Sequence, residues 1–120
     1  MVPRRLLLLP LIAVCLSHPA AAQINPFQGS RATPLNSDDI AALTAATQRL
    51  FDRPQLVAGG TETWSNPKSG ANGAVIAGDP TRRHGLACRV MIYHTFVPGP
   101  LPERRTTLVV CPTKDGLKIG

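Results

Sequence analysis

The spacing of two cysteines constrains the fold of this chain more than any other feature. Cys88 and Cys111 lie at equal distances from the bond between Gly99 and Pro100, inside segment 98–102, in which three of five residues are proline. Proline cannot donate to a strand ladder, so this segment is predicted to be a loop. The β-rich runs 86–97 and 104–111 flank it. Folding them into a hairpin places the two cysteines opposite each other, close enough for a disulfide.

The same register predicts which side chains share each face of the hairpin, because alternate residues of a strand point to opposite sides. One face would carry Cys88, Val90, Ile92, Val109 and Cys111. The other face would carry Met91, Tyr93, Leu108 and Val110. Both faces are partly apolar, so we expect a central hairpin that is covered on each side.

One helix is predicted ahead of the β-rich half, over 37–53. Asn36 or Ser37 can cap it, and Asp38 and Asp39 lie in the first turn, where they favour the positive end of the helix dipole. An apolar stripe follows at helical spacing, formed by Ile40, Leu43, Ala46, Leu50 and Phe51. The preceding segment 23–36 contains proline and glycine without periodicity and is predicted to be a flexible lead-in.

Short strands and turns are predicted over 60–120. Strand candidates are 61–65, 71–77 and a final edge strand at 117–119, with a turn at 66–70 and a polar connection at 78–85. Gly73 inside a strand indicates a bulge or a close approach of two backbones. The predicted fold is therefore α+β. One N-terminal helix packs on a small antiparallel sheet of four to five strands, with one disulfide, in a single domain over 37–120.

Residues 1–22 have the features of a signal peptide. Two arginines precede the apolar run 6–16, which is too short to span a bilayer as a helix. Ala20 and Ala22 supply the small side chains that a signal peptidase requires. Cleavage after Ala22 leaves a mature chain of 98 residues. The expected location is outside the cytoplasm, in the periplasm or associated with the outer membrane, with no membrane-spanning segment in the mature chain.

Two alternatives to this processing stay open: a leader retained as an anchor, and lipid modification of Cys15. Val14 precedes Cys15 where lipoprotein processing prefers a small residue. With the leader removed, the two remaining cysteines lie in an oxidising compartment, and a disulfide is their expected state. Without a nearby histidine pair they do not form an ordinary zinc site, and no metal or cofactor is predicted.

The mature chain is moderately basic, with 11 lysines and arginines against 7 acidic residues once Arg4 and Arg5 are lost. This charge suits contact with an anionic envelope lipid or polymer, and an ordinary solvated surface is the alternative. Nucleic acid is not an expected partner, because aromatic residues are not interleaved with the basic ones. The candidate anion-binding residues are Arg82, Arg83, Arg104 and Arg105.

A set of residues in the second half of the chain follows the order of a known family. Its members are Trp64, Asn66, Gly70, Gly73, Asp115 and Gly116, together with the two cysteines. Over about 60–119 the chain resembles the C-terminal domain of the rickettsial surface antigen family, the seventeen-kilodalton common antigen and its relatives. The resemblance implies an envelope location and a small antiparallel β domain. It brings no catalytic residues.

No enzymatic site is predicted. His84 lies in a basic loop, and His94 is expected beside Arg105, whereas a general base needs a positioned partner and a cleft. Adjacent Asp38 and Asp39 point about 100° apart on a helix and cannot act on one bond. The expected function is therefore a structural or interaction role in the cell envelope. The alternative is inhibition of a secreted hydrolase, or binding to another protein partner, through the proline-rich loop 97–103.

Overall fold

A computed structural model describes residues 23–28 and 33–120. The predicted signal peptide 1–22 lies outside the described residues. The elements, in chain order, are α1 (Ser37–Phe51), β1 (Thr61–Asn66), β2 (Ala71–Arg83), β3 (Leu86–Phe96), β4 (Glu103–Thr113) and β5 (Gly116–Ile119). The α+β class is confirmed, with five strands.

The five strands form one antiparallel sheet in which every strand pairs with its neighbours in sequence, in the order β1-β2-β3-β4-β5. The β3–β4 register confirms the prediction made from the cysteine spacing: Val90 pairs with Val109, and Ile92 with Thr107. Cys88 and Cys111 are joined in a disulfide, with their Cα atoms 4.2 Å apart. The symmetric spacing of the two cysteines about the proline-rich loop therefore predicted both the β3–β4 register and the disulfide.

Strand β2 is longer than predicted, and the polar connection expected at 78–85 is wrong. The strand continues to Arg83, and its register shifts between Ala77 and Pro80 before pairing resumes at Arg89. A bulge of this kind accommodates proline inside a sheet. Gly78 fits there because a Cβ at this position would lie 3.0 Å from the carbonyl oxygen of Val90. Only the tight turn at 84–85 remains as the connection.

Helix α1 begins with a capping box. The Asn36 side chain accepts from the Asp39 backbone N–H (2.8 Å), and the Asp39 carboxylate accepts from the Asn36 N–H (3.0 Å). The helix ends at Phe51 rather than at 53, with Asp52 as its C-cap. Pro54 explains this end, because the residue before a proline is disfavoured in the helical conformation.

The helix covers one face of the sheet, over β1 and β2. Its buried apolar residues Leu43, Ala46 and Leu50 join a core that includes Met91 and Tyr93. The Tyr93 hydroxyl bonds to the Thr47 hydroxyl at 3.0 Å, and burial raises the pKa of Tyr93 to about 12.

The expectation that the central hairpin is covered on both sides holds only in part: on the face away from the helix, Cys88 and Cys111 are buried. Val90, Ile92 and Val109 are only half-buried on the face away from the helix. A chain with a single described helix can cover only one side of its sheet, and the apolar residues of the other side shield one another.

The described part of the predicted lead-in packs against the domain. Ile24 and Leu35 are buried in the core, and the Ile24 N–H donates to the Thr44 hydroxyl at 3.0 Å. Among the described residues, no helix is long and apolar enough to cross a membrane.

Two arginines connect the end of α1 to the outer strand β1. Arg49 Nη2 donates to the Thr63 carbonyl at 2.9 Å, and Arg53 Nη2 donates to the Thr61 carbonyl at 2.8 Å. Glu62 lies between them and accepts from both guanidinium groups, which holds the pKa of its carboxyl below its usual range. These contacts fix the helix along the strand.

Candidate functional site

Asn66, one of the residues that carry the family resemblance, lies at the junction between α1 and the β1–β2 turn. Asn66 Nδ2 and Ser69 Oγ both donate to Oδ1 of Asp39, at 2.7 and 2.6 Å. Asp39 is buried, and its other oxygen caps the helix. The Ser69 hydroxyl also accepts from the Ala71 N–H at 3.1 Å. One buried carboxylate thus joins the helix start to the turn, a role for Asp39 that capping alone did not predict.

Trp64 and Gly73 form a second structural pair. They lie opposite each other on β1 and β2, and an ideal Cβ on Gly73 would lie 2.9 Å from Nε1 of Trp64 and 2.5 Å from the His94 carbonyl oxygen. The sequence allowed either a bulge or a close approach at Gly73, and the structure has the close approach. The tryptophan ring lies over the space that this glycine leaves open.

The glycines of the resemblance occupy turns that need positive φ. Gly70 (φ +78°) ends the β1–β2 turn against Pro98, and Gly116 (φ +111°) follows Asp115 in the β4–β5 turn. The Gly116 carbonyl accepts from the Thr113 hydroxyl at 2.7 Å. All six residues of the motif therefore have a place in packing or in turns, and they do not converge on one cavity.

The four candidate anion-binding arginines lie in two places. Arg82 and Arg83 are exposed at the β2–β3 turn, where His84 and Gly85 have positive φ. Arg104 and Arg105 lie at the start of β4, and Arg104 pairs with Thr95. Thr95 follows Leu86 by nine residues along β3, so the two places are about 30 Å apart. Their side chains also differ, since Arg105 is exposed and Arg104 is buried.

The turn end of the sheet gathers further cations that sequence reasoning did not single out. Lys118 pairs with Cys111, and Thr81 pairs with Cys88, so the disulfide joins the two hairpins just behind their tips. We call the exposed residues Arg82, Arg83, Lys114 and Lys118 the basic end. Extending the predicted strand register from β3 and β4 to β5 would have identified the basic end from the sequence.

Two exposed apolar side chains and two acids accompany the basic end. Leu86 is 42 % exposed and Ile119 is 51 % exposed. Asp79 and Asp115 are exposed nearby and reduce the local charge. The surface is therefore amphiphilic with a modest positive excess.

The predicted neighbour of His94 is confirmed, because His94 pairs with Arg105. Both lie on the face away from the helix, where His94 helps to line a shallow groove of about 330 Å³. Glu103 and Phe96 also line it. No group of three metal-ligating side chains occurs in the part of the chain that the structure describes.

The loop between β3 and β4 is braced by a backbone hydrogen bond from the Val97 N–H to the Pro102 carbonyl, at 2.8 Å. Val97 is buried, whereas Leu101 is 65 % exposed.

Comparisons with protein-family models, with curated proteins and with solved structures gave no match.

Proposed function

We propose that this protein is a non-enzymatic, exported envelope protein of the surface-antigen type that contacts an anionic lipid or polymer surface through the basic end. The observation that carries the proposal is the gathering of four exposed cations and two exposed apolar side chains at one end of the sheet. Cations beside exposed leucine and isoleucine are typical of surfaces that lie on anionic membranes.

The expected contact is weak and reversible. A lysine or arginine near an anionic surface contributes about 1 kcal/mol, and the two acids offset half of the four cations. Partial insertion of Leu86 and Ile119 adds about 1 kcal/mol each, since both are already partly buried. The total of about 4 kcal/mol corresponds to dissociation constants near the millimolar range in accessible lipid.

The disulfide supports this proposal by making the basic end rigid. It joins β3 and β4 immediately behind the two turns that carry the cations. Preorganised side chains lose less conformational entropy on binding than mobile ones. Oxidation also requires an environment outside the cytoplasm, which agrees with export.

Cosedimentation of the mature protein with vesicles tests the proposal. We expect binding to vesicles of equal parts phosphatidylcholine and phosphatidylglycerol, weaker binding at high salt, and none to phosphatidylcholine alone. The double variant Arg82→Ser with Arg83→Ser should lose most of the binding. Lys68→Ser with Arg105→Ser makes the same change of charge at exposed positions of the opposite end and should bind normally. Equal losses of vesicle binding in both variants would mean that binding depends only on net charge, which would contradict the proposal.

A second function, inhibition of a secreted hydrolase, is favoured by the geometry of the proline-rich loop. Leu101 is the most exposed of the large hydrophobic residues in the described ranges, and it lies within the turn that the Val97–Pro102 hydrogen bond closes. A rigid loop with an apolar tip is suited to insertion into a foreign active site. Supporting evidence would be a stoichiometric complex that suppresses turnover by the hydrolase. That inhibition should be lost in Leu101→Asp and kept in Val57→Asp, which changes a similarly exposed residue elsewhere.

A further inference from the structure

Three buried polar side chains lie in one row across the helix-covered face of the sheet. The paired positions run from β1 to β4 in the order Trp64, Gly73, Thr95, Arg104. Trp64 is 6 % exposed, Thr95 is 2 % exposed and Arg104 is 9 % exposed. The three polar side chains are thus removed from solvent, whereas Gly73 between them is half-buried.

Hydrogen-bond donors in this row lack acceptors. Within the described ranges, nothing accepts from the Trp64 indole Nε1–H or from Nε and Nη1 of Arg104, and the Thr95 hydroxyl has no partner either. Buried polar atoms are almost always hydrogen-bonded, so several orphans in one row need an explanation. They are mostly donors, and the group that would satisfy them is an acceptor.

Arg104 also carries a charge that no carboxylate of the described ranges pairs with. Its Nη2 donates to the Thr33 carbonyl, and its guanidinium lies over the Phe27 ring, 5.6 Å from the ring centre. Glu62 is the only described carboxylate that forms ion pairs, and its partners are Arg49 and Arg53. A neutral carbonyl and a ring face compensate a buried cation only in part.

The side chains at the β1 end of the row reach toward its middle. A Cβ on Gly73 would lie 2.9 Å from the indole nitrogen and 3.2 Å from the Cα of Thr95. The indole N–H therefore extends over Gly73 toward Thr95, while Arg104 lies on the other side of Thr95. The indole from β1 and Arg104 on β4 therefore lie on either side of Thr95 along the row, and a Cβ at Gly73 would collide with the indole nitrogen.

From these observations we infer that the Trp64–Thr95–Arg104 row binds a small oxyanion, a carboxylate or a phosphate. Its oxygens accept from the indole, the hydroxyl and the guanidinium, and its charge neutralises Arg104. A water molecule would satisfy some of the donors but would leave the charge uncompensated. This site is separate from the proposed surface contact, because it is buried and lies at the other end of the sheet.

The test uses the only tryptophan of the chain, whose indole N–H gives a single resonance in a ¹H–¹⁵N NMR spectrum. The mature protein is titrated with acetate and, separately, with phosphate, against chloride at equal ionic strength. We expect a saturable shift of the indole resonance with at least one anion and none with chloride. The anion that saturates identifies the ligand as a carboxylate or a phosphate.

Two variants separate this site from general electrostatics. Arg104→Met should weaken binding by about tenfold or more, which is the loss of one charge-assisted hydrogen bond. Arg105→Met alters the next residue, which is exposed on the opposite face, and should bind like the wild type. Should Arg104→Met fail to fold, Thr95→Val removes one donor at nearly constant shape and should weaken binding several-fold.

Several outcomes overturn the inference. One is an indole resonance that shifts with neither anion. This outcome includes an indole N–H whose only contact is a long-lived water molecule. Another is a shift that chloride reproduces or that never saturates. Equal weakening by Arg104→Met and Arg105→Met also refutes the site. Vesicle binding through the basic end can succeed or fail independently of all of these.

Discussion

Replacing Asp39 with alanine should destabilise the domain far more than replacing its neighbour Asp38. Asp39 is buried and accepts hydrogen bonds from Asn66, Ser69 and the Asn36 backbone. Asp38 is exposed in the same helical turn. The two substitutions remove the same charge and the same atoms, so the difference between them reports the buried network.

The expected size of the effect follows from what each donor loses. A hydrogen bond to a charged group contributes about 1.5–3 kcal/mol, and Asn66 would be left with a buried, unpaired donor. Ser69 retains a weak alternative acceptor in the Asn66 carbonyl, 3.4 Å away. We therefore expect a loss of about 3–5 kcal/mol, including the helix cap. Asp38→Ala should cost only about 0.3–1 kcal/mol, from the helix dipole.

Urea unfolding followed by the fluorescence of Trp64 measures both variants. With a slope of about 1.5 kcal/mol per molar, the midpoint of Asp39→Ala should fall by about 2 M or more. A domain of this size has about 5–15 kcal/mol of total stability, so the variant should be marginally folded. Asp39→Asn keeps one acceptor oxygen and should fall between the two. Equal midpoints for Asp39→Ala and Asp38→Ala would refute the structural role of this carboxylate.

Three other predictions concern the sheet. Gly73→Ala should lower the free energy of unfolding by about 2 kcal/mol or more in thermal denaturation, because the new Cβ would lie 2.5 Å from the His94 carbonyl; a loss near zero would contradict the close approach. Burial raises the pKa of Tyr93 to about 12 from an ordinary 10, so the folded state holds the hydroxyl proton more tightly than the unfolded state. This adds about 2–3 kcal/mol to the free energy of unfolding below pH 10, and the contribution is lost as the pH rises to 12. That alkaline loss should be missing from Tyr93→Phe when the two unfolding curves are compared. Replacing Cys88 and Cys111 by serine opens a crosslink between residues 23 apart and should cost about 3 kcal/mol in urea unfolding; two free thiols in the natively purified protein would contradict the crosslink itself.

Sequence alone was sufficient where the determinants are local. The register of β3 and β4 followed from symmetric spacing about a loop, because antiparallel pairing is fixed once its turn is known. The start of the helix followed from Asn36 and the acidic first turn. Both inferences need only residues that are close in the chain or related by one hairpin.

Sequence reasoning was insufficient where distant elements decide the outcome. Asp79-Pro80 has the composition of a turn, but the ladder with β3 carries the chain through it as a bulge. Arg104 and Arg105 look alike in sequence, and strand alternation buries the first while exposing the second. The partners of Asp39 lie 27 and 30 residues away and could be found only in three dimensions.

The arginine contacts along β1 have a consequence for how copies of this protein can associate. The outer carbonyls of an edge strand are a template for adding a strand from another molecule, and Arg49 and Arg53 already occupy two of them. The four-residue β5 is the other edge of the sheet. Growth by strand addition through β5 alone would pair two copies and then stop, since a fibre needs two open edges per molecule. The described sheet is thereby protected from amyloid-like extension.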